Sequence, residues 1–420
     1  MAATSRLKTA CLNTPLALAA CLALAACGFK GADGAKDQSA TTSTTTSLAA
    51  GPGAAPGGAP ATAQQGPDYA RMAPTDIPDA VQRPLMQAQV VLDNQGFGPG
   101  IIDGKMGIST VNGLKGFQEA NALQVTGKLD DATQMALARW KQVPATRVIR
   151  IPDSWGQIDY VQIPKGEDAQ AKLPHLGYKS LDEKLAERFH TTPDVLKQLN
   201  PGGQPASLDK GTASASPSAT ASPSPTPTPS ASASGGTTVQ AAFHPGQMVR
   251  VPNVGLDGDP APAGNDKDWS ATLASLGVAA QQPHVDRIVV SKAGGWLKGY
   301  DASGKLLVMF TVTTGSQHDP LPLGEWKIVG VQKNPPFHYN PNLFWDAKAS
   351  DKAATLPPGP NGPVGVVWID LNKEHYGIHG TPEPQTIGRT ESHGCVRLTN
   401  WDAARLAGMV STSTKVVFEA

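Results

Sequence analysis

The chain has 420 residues, room for two or three domains. Thirty-five basic residues balance 35 acidic ones, so the basic surplus that nucleic-acid binding leaves is absent, and no nucleic-acid partner is expected. Charged residues make up 17%, against a usual value of about 25%; the 44 glycines and 37 prolines signal long unfolded connections that dilute the charge.

Arg6 and Lys8 precede an apolar Ala/Leu stretch ending Leu24-Ala25-Ala26-Cys27. A positive start, a short apolar core and small residues before a cut make residues 1–27 an export signal. Cys27 in this context resembles the lipobox cysteine of bacterial lipoproteins. The resemblance implies a diacylglycerol on its sulfur and a membrane anchor at the new N-terminus. Leu18-Ala19-Ala20-Cys21 fits the same pattern, but Cys27 leaves the longer apolar core. The expected location is the cell envelope, outside the cytoplasm, with the choice of membrane open. No later run approaches the ~20 apolar residues needed to span a bilayer. Residues 28–75, rich in Gly, Ala, Ser, Thr and Pro, cannot bury enough surface to fold and read as a disordered tether. Residues 205–240 repeat that composition, with an alternating Pro run at 222–230.

The first folded block spans 76–142. Leu85, Ala88, Val91 and Leu92 recur at helical spacing, and Gly96-Phe97-Gly98-Pro99-Gly100 ends that helix. Val111, Leu114 and Phe117 mark a second helix; Asp130 is the expected N-cap of a third. Gly113 and Gly116 weaken the second helix by about 1 kcal/mol each relative to Ala, and nothing in the sequence accounts for them. This small three-helix bundle resembles the peptidoglycan-binding type 1 domain at Leu92, Gly96-Phe97, Ile102-Asp103-Gly104, Phe117-Gln118 and Thr126-Gly127. The resemblance implies peptidoglycan as a partner.

The second block spans 143–255, with the Pro/Ser/Thr-rich insertion at 205–240. Val148–Pro152 and Tyr160–Pro164 are strand-like. Ser180 caps a helix carrying Leu181, Leu185 and Phe189; Thr192 caps another carrying Val195, Leu196 and Leu199; Phe243–Pro252 closes with a strand. This small α+β order is similar to a LysM module, which implies glycan binding. A purely structural spacer of the same shape stays open, because the insertion falls before the last strand.

The third block spans 284–420. Arg287–Val290, Leu306–Val312, Glu325–Val329, Val364–Ile369 and Lys415–Phe418 read as strands separated by turns. The block is mainly β, a sandwich or barrel-like fold with one short helix capped by Asn400. Pro335–Asn340 with Phe344 and Trp345 reads as an aromatic loop beside a cleft, with core packing for Trp345 the alternative. His175, His190, His318 and His338 read as surface or packing residues.

Cys395 is the single cysteine outside the first 27 residues, so an exported chain would carry one thiol with no partner cysteine. A thiol near pKa 8.5 is only a few per cent thiolate at neutral pH. It needs an imidazole to take its proton before it attacks a carbonyl. His379 lies 16 residues upstream, at the end of the apolar piece Tyr376-Gly377-Ile378 that places it on a strand. Gly380 and Gly394 allow close approach to the base and the nucleophile. Arg397 carries a permanent charge, suited to pairing with a substrate carboxylate. A zinc site built from His375, His379, His393 and Cys395 lacks any established metal-ligand spacing, and no metal or cofactor is expected.

His379-Gly380-Thr381 followed by Ser392-His393-Gly394-Cys395-Val396-Arg397 closely resembles the YkuD-type L,D-transpeptidases, over 284–419. The resemblance implies Cys395 as nucleophile and His379 as general base and acid, oriented by a backbone carbonyl such as that of Gly380. Ser392, His393, Gly394 and Arg397 match the rest of the motif; 12 residues separate His379 from Ser392. It also implies acyl transfer between peptidoglycan stems. The thiolate attacks a tetrapeptide donor at the carbonyl of its third residue, D-Ala leaves, and an amine from a second stem or an envelope protein resolves the thioester. Water in that role would make the enzyme a carboxypeptidase, and a non-catalytic peptidoglycan tether is the rival of another class.

Overall fold

The structure is a computed structural model, and it describes residues 78–205, 241–254 and 266–420. The export segment with Cys11, Cys21 and Cys27, the tether 28–75 and, save its first residue, the insertion 205–240 lie outside those residues.

In chain order the helical part comes first: α1 (Pro84–Asn94), α2 (Ile108–Ala120) and α3 (Asp131–Leu137). Pro84 opens α1, where its missing N–H would be unpaired anyway. Asp130 caps α3, accepting from Thr133 N. Next come β1 (Thr146–Arg150), α4 (Glu167–Gln170), α5 (Leu181–Arg188), α6 (Pro193–Leu199) and β2 (Met248–Pro252). Ser180 and Thr192 cap α5 and α6 as their spacing predicts. β1 and β2 pair antiparallel, Thr146 opposite Pro252. Tyr160–Pro164 forms no strand; Val161 N donates to Tyr178 O, Tyr160 OH donates to Trp155 O and Pro164 O accepts from Gln170 Nε2, with no ladder of paired backbone.

The last part begins with α7 (Lys267–Leu276), which the sequence reading left unassigned. β3 (Arg287–Ser291), β4 (Trp296–Tyr300), β5 (Leu306–Thr311), β6 (Gly324–Lys333), β7 (Phe337–Tyr339), β8 (Ala354–Leu356), β9 (Val367–Leu371), β10 (Gly377–His379), β11 (Val396–Arg397), α8 (Asn400–Met409) and β12 (Lys415–Glu419) follow. Eight of these strands form one sheet in the order β11-β10-β9-β6-β12-β3-β4-β5. The expected sandwich is therefore a single curled sheet, closer to the barrel-like alternative. Its two ends meet: Thr313, just past β5, exchanges hydrogen bonds of 2.8 and 3.1 Å with Arg397 of β11. Closure removes the exposed edges that would otherwise invite pairing with another chain. β7 and β8 form a separate hairpin.

Helices α7 and α8 cover the sheet. Trp269, Leu273 and Leu276 of α7 and Trp401, Leu406 and Met409 of α8 share one core with Ile288, Phe310, Ile369 and Val416. Each such buried apolar side chain contributes about 1.5–3 kcal/mol. The N-cap of α8 is Thr399, not Asn400: Thr399 Oγ1 accepts from Asp402 N, and the Asn400 amide is occupied elsewhere.

The three blocks are not separate. Met86, Val90 and Ile102 of the helical part pack in one cluster with Leu185, Leu196 and Val249. Leu92, Phe97, Leu114 and Phe117 pack in another with Leu306 and Met309 of β5. Here the glycines of α2 find their reason. A Cβ on Gly116 would lie 2.7 Å from Met309 Cβ, and one on Gly113 2.8 Å from Phe97 O. The helix gives up intrinsic stability so that it can lie directly on the sheet edge. At the junction of all three blocks, Asp93 of α1 takes a two-pronged ion pair from Arg405 of α8 (3.0 and 2.7 Å) and meets His190 Nδ1 at 3.1 Å.

Candidate active site

β10 and β11 are neighbouring parallel strands in which His379 lies opposite Arg397. Cys395 immediately precedes β11, two residues before Arg397. Residues 16 apart in sequence are thereby carried on neighbouring strands.

His379 is buried, 4% exposed. Its Nδ1 lies 2.7 Å from Gly380 O, so Nδ1 carries the proton and the lone pair is on Nε2. Its ring stacks on Trp368, the cross-strand partner in β9, with centroids 5.5 Å apart. Burial, helped by the charge of Arg397, pushes the imidazole down to about 3. The Cys395 thiol is half-buried, and Sγ lies 3.6 Å from His375 O. Burial pushes it up to about 11, against the lowering influence of a Gly377 backbone hydrogen bond and Arg397. Both shifts favour the neutral forms, a thiol and an imidazole, at neutral pH.

The remaining motif residues build the frame. Ser392 Oγ donates to Cys395 O (2.6 Å), and Ser392 N donates to Thr314 O, which fixes the turn leading to the nucleophile. Gly394 takes φ of +100° and lies against the Tyr376 ring. Gly380 has no room for a side chain: a Cβ would run into Asn400 Oδ1. Arg397 is anchored through its backbone to Thr313, its basicity is lowered by burial, and its Nε has no hydrogen-bond partner. A guanidinium N–H buried without an acceptor beside the thiol is a ready donor to an incoming carboxylate or carbonyl.

His393 points out of the thiol's immediate surroundings. Its Nε2 pairs with Asp346 at 2.9 Å, and its ring meets Phe344 edge-on at 5.0 Å. Trp345, 58% exposed, stacks on His318 at 4.3 Å, so it belongs to the aromatic rim and not to the core. Sequence reasoning missed Trp368, Tyr376 and Asp346. Trp368 carried a signal, the alternation Val367-Trp368-Ile369 that puts it on the face opposite the core residues; the other two carried none. Among the described residues no group of three or more His, Cys, Asp or Glu side chains is placed to hold a metal ion.

Residues 285–418 match the L,D-transpeptidase catalytic domain (YkuD), and residues 83–137 match the "Putative peptidoglycan binding domain". The chain is 31% identical over 170 residues to the "Putative L,D-transpeptidase YkuD" of Bacillus licheniformis, covering 40% of this chain and 84% of that protein. It is 31% identical over 114 residues to the protein of the same name from Bacillus subtilis, where it spans 27% of this chain and 54% of the relative. Among solved structures, L,D-transpeptidase 3 from Mycobacterium tuberculosis with a faropenem-derived adduct aligns over 33% of this chain and 61% of its own, at 15% identity and a TM-score of 0.27. Domain and relatives together define an enzyme of the transpeptidase class. Within it, the chain belongs to the YkuD family of L,D-transpeptidases.

Proposed function

We propose that the protein is a cell-wall L,D-transpeptidase in which Cys395 and His379 perform two successive acyl transfers. His379 Nε2 takes the thiol proton as Sγ attacks the carbonyl of the third residue of a tetrapeptide stem. Backbone N–H groups near Cys395 stabilise the oxyanion. The intermediate collapses, the C–N bond to D-Ala breaks, and the imidazolium returns its proton to the departing amine. The thioester on Cys395 is then attacked by an acceptor amine, which loses a proton to Nε2, and the thiol is regenerated. Arg397 is the donor for a substrate carboxylate or carbonyl. The observation that supports this reading is the β10–β11 register, which sets His379 opposite Arg397, with Nδ1 tied to Gly380 O and Cys395 immediately before β11.

The helical block is read as a peptidoglycan-holding module and the second block as LysM-like, with glycan as its ligand. Lipid on Cys27 would hold the enzyme to a membrane outside the cytoplasm, with the tether giving reach to the wall. The test is incubation of purified chain with a tetrapeptide donor, with and without an acceptor amine, and mass analysis of products and of Cys395. Release of D-Ala, an acyl adduct on Cys395 and an acceptor-dependent cross-link support the transferase. D-Ala release with only free tripeptide supports the carboxypeptidase alternative. No release, with binding to isolated sacculi intact, supports the non-catalytic tether.

A further inference from the structure

Glu187 belongs to α5, in the second block and outside the residues that match the catalytic domain. It nevertheless reaches α8. Asn400 Nδ2 donates to Glu187 Oε1 (2.8 Å), and its amide donates also to Pro360 O (3.1 Å). With both amide hydrogens taken, the orientation of the Asn400 side chain is fixed. Its Oδ1 is turned inward, accepts from Val366 N (3.3 Å) and lies against Gly380 where any side chain would sit. Gly380 is the residue whose carbonyl holds His379 Nδ1.

We propose that Glu187 is a positioning residue for acyl transfer: through Asn400 it pins the Gly380 peptide, and so sets the tautomer and ring plane of His379. The proposal rests on His379 being the base. Its physical content is the amide's direction. An apolar side chain at 187 would leave one Asn400 N–H without its acceptor. The amide would then be held at that end by Pro360 O alone, and its Oδ1 would lose its fixed position against the Gly380 peptide. The block read as a wall-binding module would thereby also complete the catalytic domain.

A glutamate is a costly way to fill this position if packing were the only need. Besides Asn400 it accepts a hydrogen bond from Tyr178, it lies near Glu183 and Lys184, and burial raises its carboxyl to about 7. A well-packed apolar residue often serves stability better than a buried charge.

The experiment compares full-length wild type, Glu187→Met and Glu187→Gln in D-Ala release at saturating acceptor, together with the 15N-labelled imidazole Nδ1–H signal of His379. Glu187→Met is expected to lower kcat by about 10–100-fold, as loss of an orienting partner behind an active group does, with donor KM within about twofold. The Nδ1–H signal should shift or broaden. Glu187→Gln keeps a carbonyl facing Asn400 and should restore both kcat, to within about threefold, and the signal. Asn400→Asp removes the amide hydrogens from the other end of the link and should lower kcat like Glu187→Met; it carries the test if the Met variant does not fold. Turnover within about twofold of wild type in the Met or Asp variant, or equal losses in the Met and Gln variants, overturns the proposal. A wild type that releases no D-Ala refutes the function reading instead, and the imidazole signal still decides whether Glu187 positions His379.

Discussion

Two histidines of this protein are enclosed, and each stacks on a tryptophan: His379 on Trp368 and His190 on Trp401, the latter with centroids 4.7 Å apart. They differ in what their nitrogens meet. His379 gives Nδ1 to a neutral carbonyl and keeps Nε2 for chemistry. His190 has Nδ1 on the Asp93 carboxylate and Nε2 on Leu276 O (2.9 Å), so both nitrogens are consumed by structure. Burial therefore does not make a base. A base needs an unspent lone pair, and a carboxylate with an arginine behind it turns the same ring into a joint between three parts of the chain.

The largest effect should come from exchanging the roles. His379→Gln keeps size and a hydrogen-bonding amide but loses the base, and D-Ala release should fall by about 10²–10⁴-fold with the melting temperature little changed. His190→Gln should do the reverse, keeping turnover per folded molecule while stability falls by about 1–3 kcal/mol. Equal losses of turnover in both variants would dissolve the distinction.

Asp93 sharpens the structural side. Burial alone would raise its carboxyl, but Arg405 and His190 overcome this and hold it well below the usual carboxylate range. A depressed carboxyl contributes stability above its unfolded value near 4, and loses it as pH falls below that. Asp93→Asn leaves Arg405 buried without its counter-charge and should cost about 3–5 kcal/mol at pH 7 by urea unfolding. The difference from wild type should shrink toward pH 3. A constant difference across that range would mean that the charge is not what matters.

The chemical side can be sharpened through Cys395. With burial pushing the thiol up to about 11 and the imidazole down to about 3, a neutral thiol and a neutral imidazole are the expected resting forms. The rate of iodoacetamide alkylation should climb steadily with pH toward an inflection well above 9, with no shoulder between pH 5 and 8. A plateau in that window would reveal a preformed ion pair and remove the need for a proton transfer coupled to attack.

What could be read from the sequence was local. The run Ser392–Arg397 is contiguous, the β-branched strands β3 and β12 and the apolar run of β5 announce themselves, and Asp130, Ser180 and Thr192 cap helices from three residues away. Thr399 was missed in favour of Asn400, although Asp402 three residues on completes a capping pair. Helix α7 also carried a signal, Asp266 before it and Gly277 in the left-handed conformation after it, hidden by the linker composition upstream. Contacts between blocks carried none. Arg405 is 312 residues from Asp93, and α2 meets β5 across nearly 200 residues, so neither the charge cluster nor the reason for Gly116 is written in any window of the chain.

The smallest effect concerns Asp402, which sits in the His190 joint but answers pH in the opposite sense to Asp93. Burial, with Asp93 adding its negative charge, raises the Asp402 carboxyl to about 6 in spite of Arg405. A raised carboxyl contributes most to stability below its unfolded value near 4, and that contribution is lost as pH rises through about 6. Asp402→Asn keeps an oxygen to accept from Thr399 Oγ1, the bond that closes the first turn of α8 at 2.8 Å. It also removes a charge that the joint does not need, since Arg405 is already satisfied by Asp93. The variant should be as stable as wild type near pH 4 and more stable at pH 8, by on the order of 1–2 kcal/mol. Two aspartates within reach of one arginine would then show opposite pH signs, Asp93 as the partner that holds the joint and Asp402 as the first-turn residue bonded to the Thr399 cap. A loss of stability at pH 8 in Asp402→Asn would instead make both carboxylates partners of Arg405, and the joint a three-charge network whose members cannot be separated.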